Sequence, residues 1–185
     1  VVAEAFHWAN VIVWFDASAR FYSVNITRMI EMAGRDCGFA FLVLSKVSVF
    51  ESTPEAMFEY LPTNLTAMQE DFEGMSTVFI IMRKQGVFEN ILWWWYLCAS
   101  TKECMHSTLN LVCDDEEAAD RKGKNAYRNC TRTDQSVLNI LGYNHCGKRV
   151  KSFDYDLRGT EQLGVKRYET EEFEIVYLTP AELED

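Results

Sequence analysis

The run Val11-Ile12-Val13-Trp14-Phe15 constrains the fold more than any other stretch. All five residues are β-branched or aromatic, which favours a strand. Side chains of a strand alternate between its two faces, so a run that is apolar throughout needs cover on both. Such strands are typical of a mostly parallel sheet flanked by helices. The run stops at Asp16, followed by Ala17, Ser18, Ala19 and Arg20. In open α/β sheets, ligands gather beyond the carboxyl ends of the strands. Asp16 therefore has two readings, a ligand for a metal or sugar hydroxyl, or a cap on the next helix.

Phe39 to Leu44 and Thr77 to Met82 are further strand-like runs. Helical spacing predicts helices over 1–9, with Val2, Phe6 and Ala9 on one face, and over 24–33, with Ile26, Met29, Ile30 and Ala33. Ser52-Thr53-Pro54-Glu55 is a helix start, Met57, Phe58 and Leu61 its buried side, and Pro62 its end. Residues 64–69 suggest another helix, and Glu73-Gly74 a turn. Val87 to Ala99 is helical and apolar nearly all round, with Val87, Phe88, Ile91, Leu92 and Trp95 on one stripe. Core packing is the plainer reading of Trp93-Trp94-Trp95; stacking of Trp94 on a sugar face is the sharper one. Thr133 fits an N-cap, Val137, Leu138, Ile140 and Leu141 one helix face, and Gly142 its end. Residues 164–168 and 173–178 are strand-like. The expected fold is α/β, one domain over 1–185, with a mostly parallel central sheet and a cysteine-rich loop over 100–132.

The net charge of -10, from 28 acids and 18 bases without a basic cluster, argues against nucleic-acid binding. Apolar runs such as Ile91 to Cys98 are too short to span a bilayer. The chain opens mid-pattern at Val1-Val2-Ala3-Glu4-Ala5-Phe6. That leads to the expectation of a missing N-terminal part, with room for a membrane anchor there. The six cysteines, Cys37, Cys98, Cys104, Cys113, Cys130 and Cys146, include no Cys-x-x-Cys pair, so a zinc knuckle lacks its spacing. Sequons stand at Asn25, Asn64 and Asn129. Together with the cysteines they point to the secretory pathway. Cys113 and Cys130 bracket the polar loop and are expected in disulfides, with Cys98 and Cys104 next and the pairing open. The competing reading is a reduced cytosolic chain with accidental sequons.

Three pieces stand in order: the strand ending in Asp16, Glu73-Gly74 leading into Thr77 to Met82, and Thr133-Asp134-Gln135-Ser136-Val137-Leu138-Asn139 opening a helix. This order resembles the later part of a GT-A nucleotide-sugar glycosyltransferase, of the retaining families related to glycogenin and the bacterial galactosyltransferases. Trp94-Trp95-Tyr96-Leu97-Cys98-Ala99, with Cys104, Cys113, Cys130 and Arg132 to Ser136, resembles more closely an uncharacterised invertebrate family whose members look like Golgi glycosyltransferases. The resemblance covers roughly residues 8–145. It implies transfer of a glycosyl group from a nucleotide sugar to a hydroxyl on a glycan or protein acceptor, in the Golgi lumen or after secretion. It also implies that the nucleotide-binding part lies mostly upstream.

Asp16 matches the first aspartate of that family's metal motif, whereas Ser18 stands where the second is expected. A weak Mn²⁺ or Mg²⁺ site, completed by a nucleotide diphosphate, follows from one carboxylate plus phosphates. Arg20 suits phosphate neutralisation. Asp134 and Gln135 match the segment that contacts the donor sugar near its anomeric carbon, with Glu73 and Trp94 as further substrate contacts. Each has a plainer role. Asp134 favours a helix dipole by about 0.3–1 kcal/mol without any substrate, Gln135 is solvated, Glu73 forms a turn, and Arg20 pairs with a surface acid. His7, His106 and His145 read as structural or surface residues, His145 alone standing near a late metal-ligand position of those enzymes. The rival function is a secreted, non-catalytic domain binding carbohydrate or protein; a plain structural protein is the third.

Overall fold

The structure, a computed structural model, describes residues 2–16, 19–21, 26–105, 132–147 and 165–167. Its centre is strand β6 (Val78–Met82), which lies between β1 (Val11–Phe15) and β3 (Phe39–Phe41). Both neighbours run antiparallel to it, with Val13 and Ala40 each opposite Ile80. The expected mostly parallel central sheet is therefore overturned. Two smaller sheets are also antiparallel pairs: β2 (Ala19–Phe21) with β7 (Val165–Arg167), and β4 (Leu44–Ser48) with β5 (Phe72–Gly74).

The physical reason is that an apolar run demands cover on both faces, and antiparallel neighbours meet that demand as well as parallel ones. One face presents Phe39, Phe41, Phe79 and Ile81, with Ile12 and Trp14 packed against them. Phe39 and Phe41 meet edge to face at 5.0 Å. The other face presents Ala40, Leu42, Val78 and Ile80 to Met29 and Ala33 of helix α2 (Ile26–Arg35). β6 is buried on both faces, while β1 is an edge strand whose residues are only partly covered. The run that dominates the sequence is thus not the structural centre.

Helices cover the aromatic face. After α1 (Val2–Ala5), they are α3 (Val49–Ser52), α4 (Met57–Tyr60), α5 (Leu65–Glu70), a continuous rod over 85–100, α8 (Lys102–Met105) and α9 (Thr133–Cys146). Of the helix expected between Ser52 and Pro62 only α4 forms, and α3 ends at Ser52, where that helix was expected to start. α3 starts in a capping box: Ser48 Oγ accepts from the Glu51 N–H, and the Ser48 N–H donates to Glu51 Oε2. The rod comprises α6 (Gln85–Val87), a π-helical turn (Phe88–Leu92) and α7 (Trp93–Ser100). It is not buried all round. Phe88, Trp93, Trp94 and Tyr96 are exposed, while Trp95 packs edge-on against Phe79 at 6.5 Å.

Helix α9 contradicts a one-sided reading. Residues 135–142 are buried without a break, so it is an inner helix touched on every side. Thr133 is its first helical residue rather than a side-chain cap, and Gly142 lies inside it. Tertiary packing overrides a single glycine. The helix stops at Gly147, whose φ of 61° suits a residue without Cβ. Glu73-Gly74 is not a turn but the end of β5. A Cβ at Gly74 would overlap the Phe41 ring, so the close approach requires glycine.

Two disulfides join described cysteines. Cys98–Cys104 ties α7 to α8, and Cys37–Cys146 ties the entry to β3 to the last turn of α9. Such bonds belong to an oxidising compartment. The expected participation of Cys98 and Cys104 is seen; Cys113 and Cys130 lie outside the described residues, as do Ser18, Asn25, Asn129 and the strand over 173–178. Among the described residues, no helix is long and apolar enough to cross a membrane.

Candidate functional site

The amino-terminal end of α9 docks onto the segment between β5 and β6. Asn139 makes three hydrogen bonds: Oδ1 accepts from the Gly74 N–H at 2.6 Å, and Nδ2 donates to Gly74 O at 2.7 Å and to Gln135 O at 2.8 Å. One turn earlier, Gln135 Oε1 accepts from the Ser76 N–H at 3.1 Å and from Ser76 Oγ at 3.3 Å. Ser136 Oγ donates to Ser52 O at 3.1 Å. An i, i+4 amide pair on one helix face can grip a strand edge in this way because the two side chains stand one above the other.

The same segment reaches the strand-end aspartate. The Asp16 N–H donates to Thr77 O at 2.8 Å, extending the β1–β6 ladder by one step. Asp16 sits next to Thr77, Gln135 next to Ser76, and Glu73 beside the clamped Gly74. Glu73 is buried. Three of the predicted residues, distant in sequence, thus share one end of the three-stranded sheet.

Gln135 is only 3% exposed, and its amide orientation is fixed by the two donors from Ser76. Its Nε2 consequently points its protons elsewhere, and among the described residues nothing accepts from it. A buried amide donor without an acceptor costs about 1–3 kcal/mol unless some group meets it. Asp134 is exposed, although its neighbour Gln135 is buried. Successive helical residues diverge by about 100°, so the two side chains do not act on one buried point.

Arg20 lies on β2, where the backbone register sets it opposite Lys166. Two cationic residue types stand across from each other there, four residues beyond Asp16. Among the described residues, no three His, Cys, Asp or Glu side chains are grouped to hold a metal. Asp16 contributes one carboxylate, which fits a divalent cation only jointly with substrate phosphates.

Trp94 belongs elsewhere. It is 47% exposed and lines a cleft of about 730 Å³ with Tyr60, Pro62, Asn90, Asn144 and His145. Asn144 stands nine residues beyond Gln135, about 13 Å along the helix. The cleft and the strand-end cluster therefore lie at opposite ends of α9. His145 Nε2 lies 3.2 Å from Cys37 O, and Nδ1 lies 3.3 Å from Asn90 Nδ2. Both ring nitrogens therefore meet protein groups. That engagement matches the structural role expected for His145.

The sequence alone does not single out Asn139, Ser76, Asn90 or the Cys37–Cys146 pair. Polar residues at i and i+4 within an apolar helix, as at Gln135 and Asn139, are a readable sign of an inward grip. Nothing in the sequence marks the π turn that carries Asn90. Comparison with known protein families, curated proteins and solved structures finds no match to this chain.

Proposed function

We propose that the chain transfers a glycosyl group from a nucleotide sugar to a hydroxyl acceptor within the secretory pathway, in the Golgi lumen or after secretion. The observation that carries this reading is the gathering of Asp16, the 73–77 segment and Gln135 at one sheet end. In the transfer, the bond from the anomeric carbon to the diphosphate breaks and a bond to the acceptor oxygen forms. The hydroxyl proton leaves to a base, and the electron pair of the broken bond leaves with the diphosphate. Arg20, with Lys166 opposite, supplies cationic residue types for that diphosphate. A Mn²⁺ or Mg²⁺ ion held by Asp16 and the phosphates would add further neutralisation. The Gln135 amide orients the donor sugar or the segment that touches it. Asp134, exposed on the first turn of α9, faces the donor as the charged group near its anomeric carbon.

Asp134→Asn in the full-length protein tests this reading. Release of nucleotide diphosphate from a panel of nucleotide sugars should fall by at least about a hundredfold, with the melting temperature unchanged. Full activity of Asp134→Asn would remove Asp134 from the site. A second reading, carbohydrate binding without turnover, is favoured by the engagement of Gln135 Oε1 with Ser76 and by the separate cleft at Trp94. Sugar binding by the full-length protein, with no diphosphate released from any donor, would establish the second reading over the first.

A further inference from the structure

We propose that Asn64 carries an N-linked glycan and that the cleft at Trp94 is the seat of that glycan. This rests on the geometry around Asn64 and the cleft, not on the transfer reaction above. Asn64-Leu65-Thr66 is a sequon whose three residues are all exposed. Asn64 is the N-cap of α5, where its Oδ1 accepts from the Ala67 N–H at 3.2 Å. The cap uses only the oxygen. Among the described residues Nδ2 has no partner, and Nδ2 is the atom that glycosylation modifies. Attachment joins Nδ2 to the anomeric carbon of an oligosaccharide carried on a lipid diphosphate. The carbon–oxygen bond to the diphosphate breaks, and one amide proton is lost to base. The cap survives, because Oδ1 keeps its lone pairs.

The cleft begins two residues before the sequon. Pro62 is part of its wall, and the 62–63 segment is pinned to the end of α9: Asn144 Nδ2 donates to Pro62 O at 3.0 Å, and Thr63 Oγ1 donates to Asn144 Oδ1 at 2.6 Å. The two residues that precede the attachment point are thus held at the cleft. The lining suits a sugar chain. Trp94 and Tyr60 offer exposed ring surface to the apolar faces of pyranose rings. Glu59 and Asn90 supply polar atoms to hydroxyls around that surface. The two disulfides fit an oxidising compartment, the redox setting in which such glycans are added.

The test uses the full-length protein secreted from eukaryotic cells. Glycopeptide mass spectrometry should show Asn64 occupied, and Thr66→Ala should abolish that occupancy. The native protein should then resist release of the Asn64 glycan by a peptide-amidase, while Trp94→Ala or Tyr60→Ala should speed release by about tenfold, the equivalent of one good ring contact. Release after denaturation should be equally fast in all three. An unmodified Asn64 would overturn the proposal. So would native release rates that are the same in wild type, Trp94→Ala and Tyr60→Ala.

Discussion

The two ends of α9 use the same kinds of side chain in opposite ways. At the amino-terminal end, Gln135, Ser136 and Asn139 are buried, and their polar atoms hold the backbone at Ser52 and at residues 74–76. At the carboxyl-terminal end, Asn144 and His145 edge an open cleft and bond to Pro62, Thr63, Asn90 and Cys37. A buried polar group must be satisfied or it destabilises the fold, whereas a group beside solvent can exchange its partner for water. The first end is consequently fixed by hydrogen bonding. The second is fixed by a covalent bond, Cys37–Cys146, beside hydrogen bonds that lie at the protein surface.

If that division holds, breaking the covalent anchor should have the largest effect. Cys37 and Cys146 are 109 residues apart. The chain-entropy model gives about 4.7 kcal/mol for a loop near this size. Cys98 and Cys104 are 6 apart, for which the same relation gives about 2 kcal/mol. Denaturant unfolding of Cys37→Ala/Cys146→Ala should therefore show more than twice the loss of Cys98→Ala/Cys104→Ala. Equal losses would mean that the end of α9 does not depend on its disulfide.

The next effect contrasts two asparagines on one helix. Asn139→Ala removes three buried hydrogen bonds and leaves two Gly74 groups without their side-chain partner. At about 1 kcal/mol each, the loss is about 3 kcal/mol. Asn144→Ala removes two bonds that water can replace, and should cost under about 0.5 kcal/mol. Comparable losses at both positions, by thermal or denaturant unfolding, would erase the distinction between the two ends.

Much of the local structure is legible in the sequence because it rests on short-range pattern. β1, β3 and β6 stand within the apolar runs, and α2 overlaps the helix expected over 24–33 and ends two residues later. Strand direction is not legible. The runs at Val11 to Phe15 and Val78 to Met82 state that both faces are covered, and nothing in them distinguishes antiparallel cover from parallel. Register and direction come from long-range pairing such as Val13 with Ile80. The candidate site divides similarly. Asp16, Glu73 and Gln135 do share one sheet end, but Trp94 does not, because adjacency in a motif carries no information about which end of α9 a residue faces. The i, i+4 spacing of Gln135 and Asn139 is readable, but the fully buried run over 135–142 does not show which strand the pair grips.

The last contrast concerns neighbours in the tryptophan triplet. Trp95 packs against the core and meets Phe79 edge-on, so Trp95→Ala opens space beneath the aromatic face and should cost about 3 kcal/mol. Trp94 is the preceding residue, yet its ring stands at the cleft, 47% exposed. In protein whose sequon has been removed by Thr66→Ala, no glycan covers that ring. There Trp94→Ala should shift stability by less than about 0.5 kcal/mol. Measured in the same background, the pair separates packing from surface within one helical turn. A large loss at Trp94 without glycan would show that its ring supports the fold at the π turn, and the open end of α9 would then matter to folding as much as the closed one.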